Sequence, residues 1–207
     1  MRTRVKICGI TSAEDLALTV ALGADAIGFN LFEGSARYIN YARLCELAAQ
    51  TAPFVTRVGL FVNPDPALVQ RCAGELDILQ FSGDESEAFC TQFGKPYIKA
   101  IRVRTEADVT ENAYSYRSAR ALLLDARVEG QYGGTGETFD WRLAVGLGAR
   151  LILAGGLTAD NVADAIGVVH PFAVDVSSGV ERERGKKDPE KLAAFVAAVR
   201  AADEVTR

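Results

Sequence analysis

The sequence predicts an α/β protein, specifically a single-domain (β/α)8 TIM barrel with eight parallel strands. Short runs of mainly apolar residues alternate with longer segments of helical pattern along the chain. Strands that alternate with helices pair in parallel through right-handed crossovers. An open, doubly wound sheet is the other arrangement that this alternation allows. The chain contains eight such units of about 26 residues each, and this count favours the closed barrel.

The eight expected strands are short and nearly continuous in apolar residues. This pattern is typical of a parallel sheet that is covered on both faces. In chain order the expected strands are Val5–Cys8, Ala26–Phe29, Val55–Phe61, Ile78–Phe81, Tyr97–Val103, Ala121–Asp125, Leu151–Ala154 and Ala173–Val176.

The segments between the strands carry helix start and stop signals. Thr11 and Glu14 resemble a capping box, and Gly23 is expected to end the first helix. Four other helices are expected to begin at a polar cap residue, which in two cases stands directly before a proline. These expected helix starts are Asp65-Pro66, Thr105 with Asp108, Thr158 or Asp160 before Asn161–Ile166, and Asp188-Pro189.

Composition and charge set limits on what the chain can do. Residues 1–207 are expected to form one catalytic domain, because no linker-like or low-complexity stretch interrupts them. No run of about 18 apolar residues occurs, which argues against a membrane partner. The first residues, MRTRVKICGI, lack the apolar core of a signal peptide, so we expect a cytoplasmic protein. A net charge of −4 without a long basic run argues against nucleic acid as a partner.

The cysteines and the one histidine exclude several kinds of site. Cys45, Cys72 and Cys90 fall in helical segments and are expected to be small buried or half-buried side chains. The cysteine spacing indicates neither a disulfide framework nor a zinc site. His170 falls in a loop before strand 8, at the rim opposite the expected site. Histidine-based triads and histidine-rich metal sites are therefore not expected.

Polar residues interrupt the apolar pattern where two of the expected strands end. Cys8 ends strand 1, and Asp125 ends strand 6. Barrel enzymes build their sites at the carboxyl ends of the strands, so both side chains are expected on one rim. Either residue alone could be a buried small side chain or a turn residue. Their shared rim makes a catalytic site the better interpretation.

Glycine-rich segments follow the last two strands and indicate phosphate binding. Gly155-Gly156 follow strand 7, and Ser177-Ser178-Gly179 follow strand 8, with a short helix expected to begin near Ser178. Glycines let the backbone approach an oxyanion, and this is the frequent phosphate position of the fold. A third cluster, GGTG at 133–136, matches neither a Walker nor a Rossmann pattern. The loop at 126–137 is expected to cover the site, with a plain surface loop as the alternative.

Strand alternation indicates a charged partner for Cys8. Lys6 and Cys8 lie on the same side of strand 1. Asp175 and Ser177 share a side of strand 8, which neighbours strand 1 once the barrel closes. Because an unpaired buried charge is costly, we expect Lys6 and Asp175 to form a buried ion pair beneath the site. An outward, solvated Lys6 at the bottom rim is the alternative.

Nine segments spread over nearly the whole chain carry a family resemblance. They are KICGIT (6–11), ADAIGF (24–29), SARY (35–38), VGLFVN (58–63), LLLDA (122–126), GGTGETFDW (133–141), LAGGLT (153–158), VDVSSGVE (174–181) and GKKDPEKL (185–192). In these segments the chain resembles the phosphoribosylanthranilate isomerase family. The combination of KICGIT with DVSSGVE is highly specific.

The resemblance implies a TIM barrel of tryptophan biosynthesis that works without metal or other cofactor. The family reaction is an Amadori rearrangement of N-(5′-phosphoribosyl)anthranilate to 1-(2-carboxyphenylamino)-1-deoxyribulose 5-phosphate. The substrate is thus a small molecule that carries a phosphate and a carboxylate. By motif, Cys8 would be the general base, Asp125 the general acid and Arg37 the group that holds the carboxylate. The AGG and SSG loops would bind the phosphate.

Two departures from the family pattern concern the anthranilate side of the pocket. Ser82 stands where the family often has histidine, and Ala36 stands where proline is common. Two other functions remain as alternatives: a catalytically inactive sugar-phosphate-binding barrel, and an aminoaldose isomerase of histidine biosynthesis, which uses two aspartates. The chain is expected to be a monomer or a homodimer.

Overall fold

The structure, a computed structural model, describes residues 2–126, 138–146 and 151–205. The barrel strands are β1 (Arg4–Cys8), β2 (Ala26–Asn30), β3 (Thr56–Phe61), β4 (Ile78–Phe81), β5 (Tyr97–Val103), β6 (Ala121–Ala126), β7 (Leu151–Leu153) and β8 (Ala173–Val176). They form a closed, all-parallel barrel in which each strand pairs with the next and β8 pairs with β1. The predicted TIM barrel is confirmed, and every predicted strand end lies within one residue of the observed one.

Helices connect the strands on the outside of the barrel. The α-helices in the described ranges are α1 (Ala13–Ala21), α2 (Tyr41–Gln50), α3 (Pro66–Cys72), α4 (Glu87–Thr91), α5 (Glu106–Ser115), α6 (Val162–Val169) and α7 (Pro189–Val205). Short 3-10 helices span Ala73–Glu75, Trp141–Ala144 and Ser178–Val180. A two-stranded antiparallel hairpin, β9 (Glu181–Glu183) and β10 (Lys186–Lys187), follows β8. The sequence analysis did not predict this hairpin.

The barrel strands bury their two faces in different layers. Large apolar side chains such as Phe29, Phe61 and Leu79 belong to the core that includes residues of the surrounding helices. A second, smaller apolar cluster, which includes Val58 and Ile152, forms inside the barrel. Its members come mainly from the early parts of their strands, so polar side chains can occupy the barrel interior near the carboxyl ends.

Most predicted helix boundaries are confirmed. The side chains of Asp65 and Asp188 accept hydrogen bonds from backbone N–H groups of the turns that follow them. Thr105 and Asp108 form a complete capping box, and Gly23 follows α1 with a φ of 85°. This positive φ is a conformation that glycine adopts without the steric penalty of a Cβ.

Two predicted helix starts differ from the observed ones by one to three residues. The cap of α1 is Ser12, whose side chain accepts from the N–H of Asp15, rather than Thr11 with Glu14. The Thr11 hydroxyl instead donates to the Gly185 carbonyl, a long-range contact that the local pattern does not reveal. The residue before α6 is Asn161, in place of Thr158 or Asp160.

The remaining cysteines and the histidine lie where the sequence predicts. Cys72 and Cys90 are buried, Cys45 is half-buried, and all three are free thiols. His170 is exposed and ends α6 before β8, at the amino-terminal end of the barrel. Within the described ranges, no helix combines the length and the apolar character that crossing a membrane would require.

Candidate active site

The predicted site residues converge at the carboxyl ends of the strands. Cys8 is the last residue of β1, and Asp125 is the penultimate residue of β6. Both line one pocket, together with Arg37 and the loops after β7 and β8. The structure therefore brings the predicted thiol, carboxyl, guanidinium and glycine-rich loops into one pocket.

Lys6 and Asp175 form the buried ion pair that strand alternation predicts. They are directly paired across β1 and β8, and Lys6 Nζ donates to Asp175 Oδ1 at 2.8 Å. Their side chains are only 4% and 9% exposed, so an outward, solvated Lys6 is excluded. Asp175 also lines the pocket, which places the pair directly beneath it.

Gly28 on β2 makes room for this arrangement. It is paired with Cys8 across the two strands. A Cβ at this position would lie 2.7 Å from Cys8 Sγ and 3.2 Å from Lys6 Nζ. Both atoms therefore occupy the space that a side chain at position 28 would need. In the sequence Gly28 is only one residue of the ADAIGF motif, because the atoms that pack against a glycine in a strand come from another strand.

The thiol of Cys8 lies between opposing influences. Burial raises its pKa, and the positive charge of Lys6 lowers it without cancelling the effect of burial. The net direction is upward, so the positive charge of Lys6 compensates the effect of burial only in part. Burial likewise lowers the pKa of Lys6, but Asp175 and Cys8 outweigh burial and raise it. Lys6 is therefore held as an ammonium ion.

Asp125 is placed to keep a proton at higher pH than an ordinary aspartate. Burial, followed by the negative charge of Asp175, raises its pKa from 3.8 to about 6. Gly155 packs against it, since a Cβ there would come within 2.9 Å of Asp125 Oδ1. The direction agrees with the expectation for a general acid.

The two glycine-rich loops pack closely against each other. Gly155 and Gly156 both have positive φ, at 83° and 61°. Any Cβ on Gly179 would collide with the carbonyl oxygen of Leu157, so glycine is required there by backbone contact. The short helix expected near Ser178 is present as a 3-10 turn. The pocket is thus bounded on this side by backbone and small side chains.

Arg37 reaches the pocket from the loop after β2, but its guanidinium already has a partner. Its Nε and Nη2 both donate to the carboxylate of Glu181 at 2.8 Å, and both side chains are largely buried. Glu181 accepts a further bond from Lys187 at 3.0 Å. Glu181 and Lys187 were not among the predicted site residues, although both fall in the family-like motifs.

The inward residues of β4 and β5 complete the pocket. Gln80 donates to the hydroxyl of Ser82 at 3.2 Å, while its carbonyl oxygen has no hydrogen-bond partner among the described residues. Arg102 lines the pocket and donates to Asp84 at 2.7 Å. The Ser82 departure therefore lies in the pocket, whereas Ala36 is exposed. Strand alternation could have identified Gln80 and Arg102 as inward-facing.

Two further expectations concern the loop after β6 and metal binding. Residues 127–137, with the GGTG segment expected to cover the site, lie outside the described residues. In the described ranges, no group of three or more His, Cys, Asp or Glu side chains is arranged to hold a metal ion.

The closed barrel, the pocket at the carboxyl ends of its strands and the polar groups within it define the class: a (β/α)8-barrel enzyme acting on a small molecule. The model of the family described as N-(5′-phosphoribosyl)anthranilate (PRA) isomerase matches residues 5–198. The chain belongs to this family, whose members are isomerases of tryptophan biosynthesis.

Individual relatives agree with this assignment. The chain is 55% identical to the N-(5′-phosphoribosyl)anthranilate isomerase of Dechloromonas aromatica, over 99% of each chain. It is 53% identical to the enzyme of Chromohalobacter salexigens, over 96% of this chain and 94% of the relative. The crystal structure of the Thermotoga maritima isomerase has a TM-score of 0.89 at 40% identity, covering 96% and 99% of the two chains.

Proposed function

We propose that this chain isomerises PRA with Cys8 as general base and Asp125 as general acid. The observation that carries the proposal is the pairing of two opposite environments in one pocket. Asp125 has a raised pKa of about 6, and Cys8 lies beside the ammonium group of Lys6. A related isomerase has been crystallised with reduced 1-(o-carboxyphenylamino)-1-deoxyribulose 5-phosphate, at 39% identity to this chain and a TM-score of 0.86.

The reaction needs one proton delivered and one proton removed. Asp125 donates to the ring oxygen of the ribose, the furanose opens, and a Schiff base forms at C1′. Cys8 then removes the proton from C2′, which gives an enaminol that tautomerises to the ketone product. No atoms are gained or lost, so the overall change is an isomerisation that needs no co-reactant.

The ends of the substrate are assigned to the remaining polar groups. We assign the phosphate to the loops that contain Gly155, Gly156 and Ser177–Gly179, where backbone N–H groups and hydroxyls suit an oxyanion. The anthranilate carboxylate is assigned to Arg37, through the part of the guanidinium that Glu181 does not occupy.

The protonation state that the mechanism needs, with Asp125 protonated and Cys8 deprotonated, is a minor one in the free protein. At neutral pH most Asp125 has lost its proton, because its pKa of about 6 is still below 7, and most Cys8 has kept its proton, because burial raises the pKa of the thiol. The reverse arrangement carries the same number of protons, so its fraction is constant between the two pKa values. A plot of kcat/KM against pH should therefore be flat between about pH 6 and the raised pKa of Cys8, and should fall on both sides of that range.

The test is fluorescence-monitored turnover of freshly made PRA by the purified protein and its variants. Cys8→Ala and Asp125→Ala should each lower kcat by about 10²- to 10⁴-fold. Both should still bind the reduced product analogue. Cys45→Ala, a half-buried thiol on α2, is the matched control and should keep full activity.

Other outcomes would point elsewhere. Activity that survives Asp125→Ala nearly unchanged would refute the assigned acid. A wild type that binds the analogue but never turns over PRA would support the catalytically inactive barrel. The aminoaldose of histidine biosynthesis is the second substrate to assay, although β1 ends in Cys8 where that isomerase has an aspartate.

Three further expectations concern the domain organisation, the cellular location and the oligomeric state. We infer that residues 1–207 form one catalytic domain and that the protein works in the cytoplasm. It is a monomer or a homodimer; one related structure is of monomers generated from the dimeric isomerase of Thermotoga maritima. Gel filtration with light scattering distinguishes the two states.

A further inference from the structure

We propose that Glu181 and Lys187 are positioning residues that hold Arg37 ready for the carboxylate of the substrate. This inference rests on the proposed function, and it concerns two residues that need not touch the substrate themselves. Both lie on the β9–β10 hairpin, where they are paired across the two strands.

Lys187 is the central residue of this arrangement, and its side chain is fully buried. Its ammonium group donates to Glu181 Oε1 at 3.0 Å, to the Cys8 carbonyl at 2.6 Å and to the Ser177 carbonyl at 3.2 Å. All three of its N–H groups are thus used. One side chain connects the partner of Arg37, the backbone of the proposed base and the start of the phosphate loop.

Glu181 and Gly9 fix the path of the Arg37 side chain. The two parallel bonds from Arg37 to Glu181 set the plane of the guanidinium, as bidentate pairs do. Further back, a Cβ on Gly9 would lie 2.6 Å from Arg37 Cδ, so the aliphatic part of the side chain passes directly over this glycine. Nη1 of Arg37 has no hydrogen-bond partner among the described residues, and Arg37 lines the pocket.

The charge balance of the three side chains explains why Lys187 matters for anion binding. Burial would raise the pKa of Glu181, but Arg37 and Lys187 outweigh burial and lower it, so Glu181 is a carboxylate. An isolated Arg37–Glu181 pair would be neutral overall and would attract a substrate carboxylate weakly. Burial lowers the pKa of Lys187 below its ordinary value, and Glu181 offsets only part of this. The amino group is held as an ammonium ion because three oxygen acceptors surround it. With Lys187, the cluster of Arg37, Glu181 and Lys187 carries a net charge of about +1, close enough to the pocket to attract a substrate carboxylate.

A purely structural role for the hairpin is the competing explanation. In that case Lys187 would only tie β9–β10 to the barrel, and its loss would weaken every ligand alike. The two explanations differ in whether the effect depends on the carboxylate of the ligand.

The experiment compares two probes that differ only in that carboxylate. They are reduced 1-(2-carboxyphenylamino)-1-deoxyribulose 5-phosphate and reduced 1-phenylamino-1-deoxyribulose 5-phosphate. Dissociation constants are measured by calorimetry for the wild type, Lys187→Met and Glu181→Gln. The matched control is Lys186→Met, which removes the exposed neighbouring lysine of the same hairpin.

The expected result is a loss of discrimination without a general loss of binding. The wild type should prefer the carboxylated probe by about 10- to 100-fold. Lys187→Met removes a positive charge and should reduce that preference to about threefold or less, through weaker binding of the carboxylated probe alone. Glu181→Gln makes the cluster more positive, so the same loss of preference in this variant would come from the lost bidentate bond that orients Arg37. Lys186→Met should keep the preference of the wild type.

Several outcomes would overturn the inference. Equal losses for both probes in Lys187→Met and Glu181→Gln would show a structural role. If Lys187→Met does not fold, the isosteric Glu181→Gln decides; failure of both to fold, with Lys186→Met intact, also favours the structural role. An active wild type whose preference survives in the variants refutes this inference alone. A wild type that does not isomerise PRA refutes the proposed function as well.

Discussion

Two buried lysine–carboxylate pairs of this barrel have nearly the same geometry and very different surroundings. Lys6 and Asp175 are 2.8 Å apart, and Lys99 and Glu85 are 3.0 Å apart, with every side chain less than 10% exposed. Lys6 points into the barrel. Lys99 precedes the inward-facing Ala100 on β5, so it points outward, toward the helices.

The outer pair is saturated with hydrogen bonds. Lys99 also donates to the carbonyl of Gly83 at 2.6 Å and to that of Phe81 at 3.4 Å. Glu85 accepts from the backbone N–H groups of Asn63 and Gly83. Every one of these partners lies in the loops after β3 and β4 or at the end of β4. The pair therefore fixes loop conformation, and its charges are used locally.

In the inner pair, oxygen acceptors do not take up all the N–H donors of the lysine among the described residues. Among the described residues, Asp175 provides the one oxygen to which Lys6 Nζ donates, and the next polar group is the Cys8 thiol. The same two functional groups therefore support a loop in one place and a reactive side chain in the other. What differs is the set of partners that takes up the remaining donors of the ammonium group.

Neutralising the inner pair should have the largest effect. In Lys6→Met/Asp175→Asn no buried charge is left unpaired, so the protein should fold. Without the cation, the Cys8 thiolate loses roughly 4 kcal/mol of stabilisation, taking about 4 Å and an effective dielectric constant of about 20. Loss of the Asp175 charge, which raises the pKa of Cys8, offsets part of this. We expect kcat/KM to fall by about 10²-fold in the PRA turnover assay. A double variant that keeps wild-type activity would show that Lys6 has no influence on the base.

Breaking the outer pair should affect stability and leave catalysis unchanged. Lys99→Met leaves Glu85 buried and unpaired, and should lower the free energy of unfolding by about 3 kcal/mol. In Lys99→Met/Glu85→Gln the amide oxygen can still accept from Asn63 and Gly83, so most of that stability should return. Denaturant unfolding measures the first effect. Turnover of the double variant should stay within about threefold of wild type; a large loss would remove the contrast between the pairs.

These two pairs also show what the sequence could and could not predict. Alternation along β1 and β8 was sufficient for Lys6 and Asp175, because both residues are in strands whose neighbours follow from barrel closure. The same rule places Lys99 on the outer face. Its partner Glu85 lies in a loop, and loop conformation depends on contacts that strand periodicity does not contain. The eight strands were predictable for the first reason, and the caps at Ser12 and Asn161 were missed for the second.

The candidate site divides in the same way. Cys8 and Asp125 could be located because strand ends meet on one rim. The roles given to them came from the family resemblance, and they are still predictions. Glu181 and Lys187 escaped notice because they act through a hairpin that carries no apolar periodicity and whose contacts reach back to residue 8 across the barrel. The role of Gly28 could not be predicted, because it depends on which atoms pack against this glycine.

A third prediction uses the pH dependence of stability to separate the inner region from the surface. The pKa of Asp125 is raised to about 6, so the folded state holds its proton more tightly than the unfolded chain does. Stability is therefore lost as pH rises from about 4 to about 6, and the cost of about 3 kcal/mol is fully present above that range. Asp125→Asn should remove this cost, and the variant should gain stability over wild type at pH 7.5 but hardly at pH 4.

Asp77 provides the control of opposite sign. Hydrogen bonds from Arg57 lower the pKa of Asp77, so its contribution to stability is present above its ordinary pKa and is lost as pH falls. Asp77→Asn should therefore lower stability at neutral pH. Thermal unfolding of both variants between pH 4 and pH 7.5 measures the two trends. Parallel curves for Asp125→Asn and wild type would contradict the raised pKa of Asp125.

The smallest expected effect on stability comes from one added methyl group in each layer of the barrel. At Gly28 the new Cβ meets Cys8 and Lys6 inside the barrel, and at Gly59 it meets the Leu76 side chain in the outer layer. Each alanine should cost about 1 kcal/mol by overpacking. Gly28→Ala must also displace the thiol or the ammonium group, since neither can stay 2.7 to 3.2 Å from a Cβ. Displacing a reacting group lowers the rate even when folding is not impaired, so Gly28→Ala should lose at least about tenfold in kcat. Gly59→Ala displaces no reacting group and should keep its kcat. Equal turnover in the two variants, at equal loss of stability, would mean that the position of the inner pair is not what sets the reactivity of Cys8.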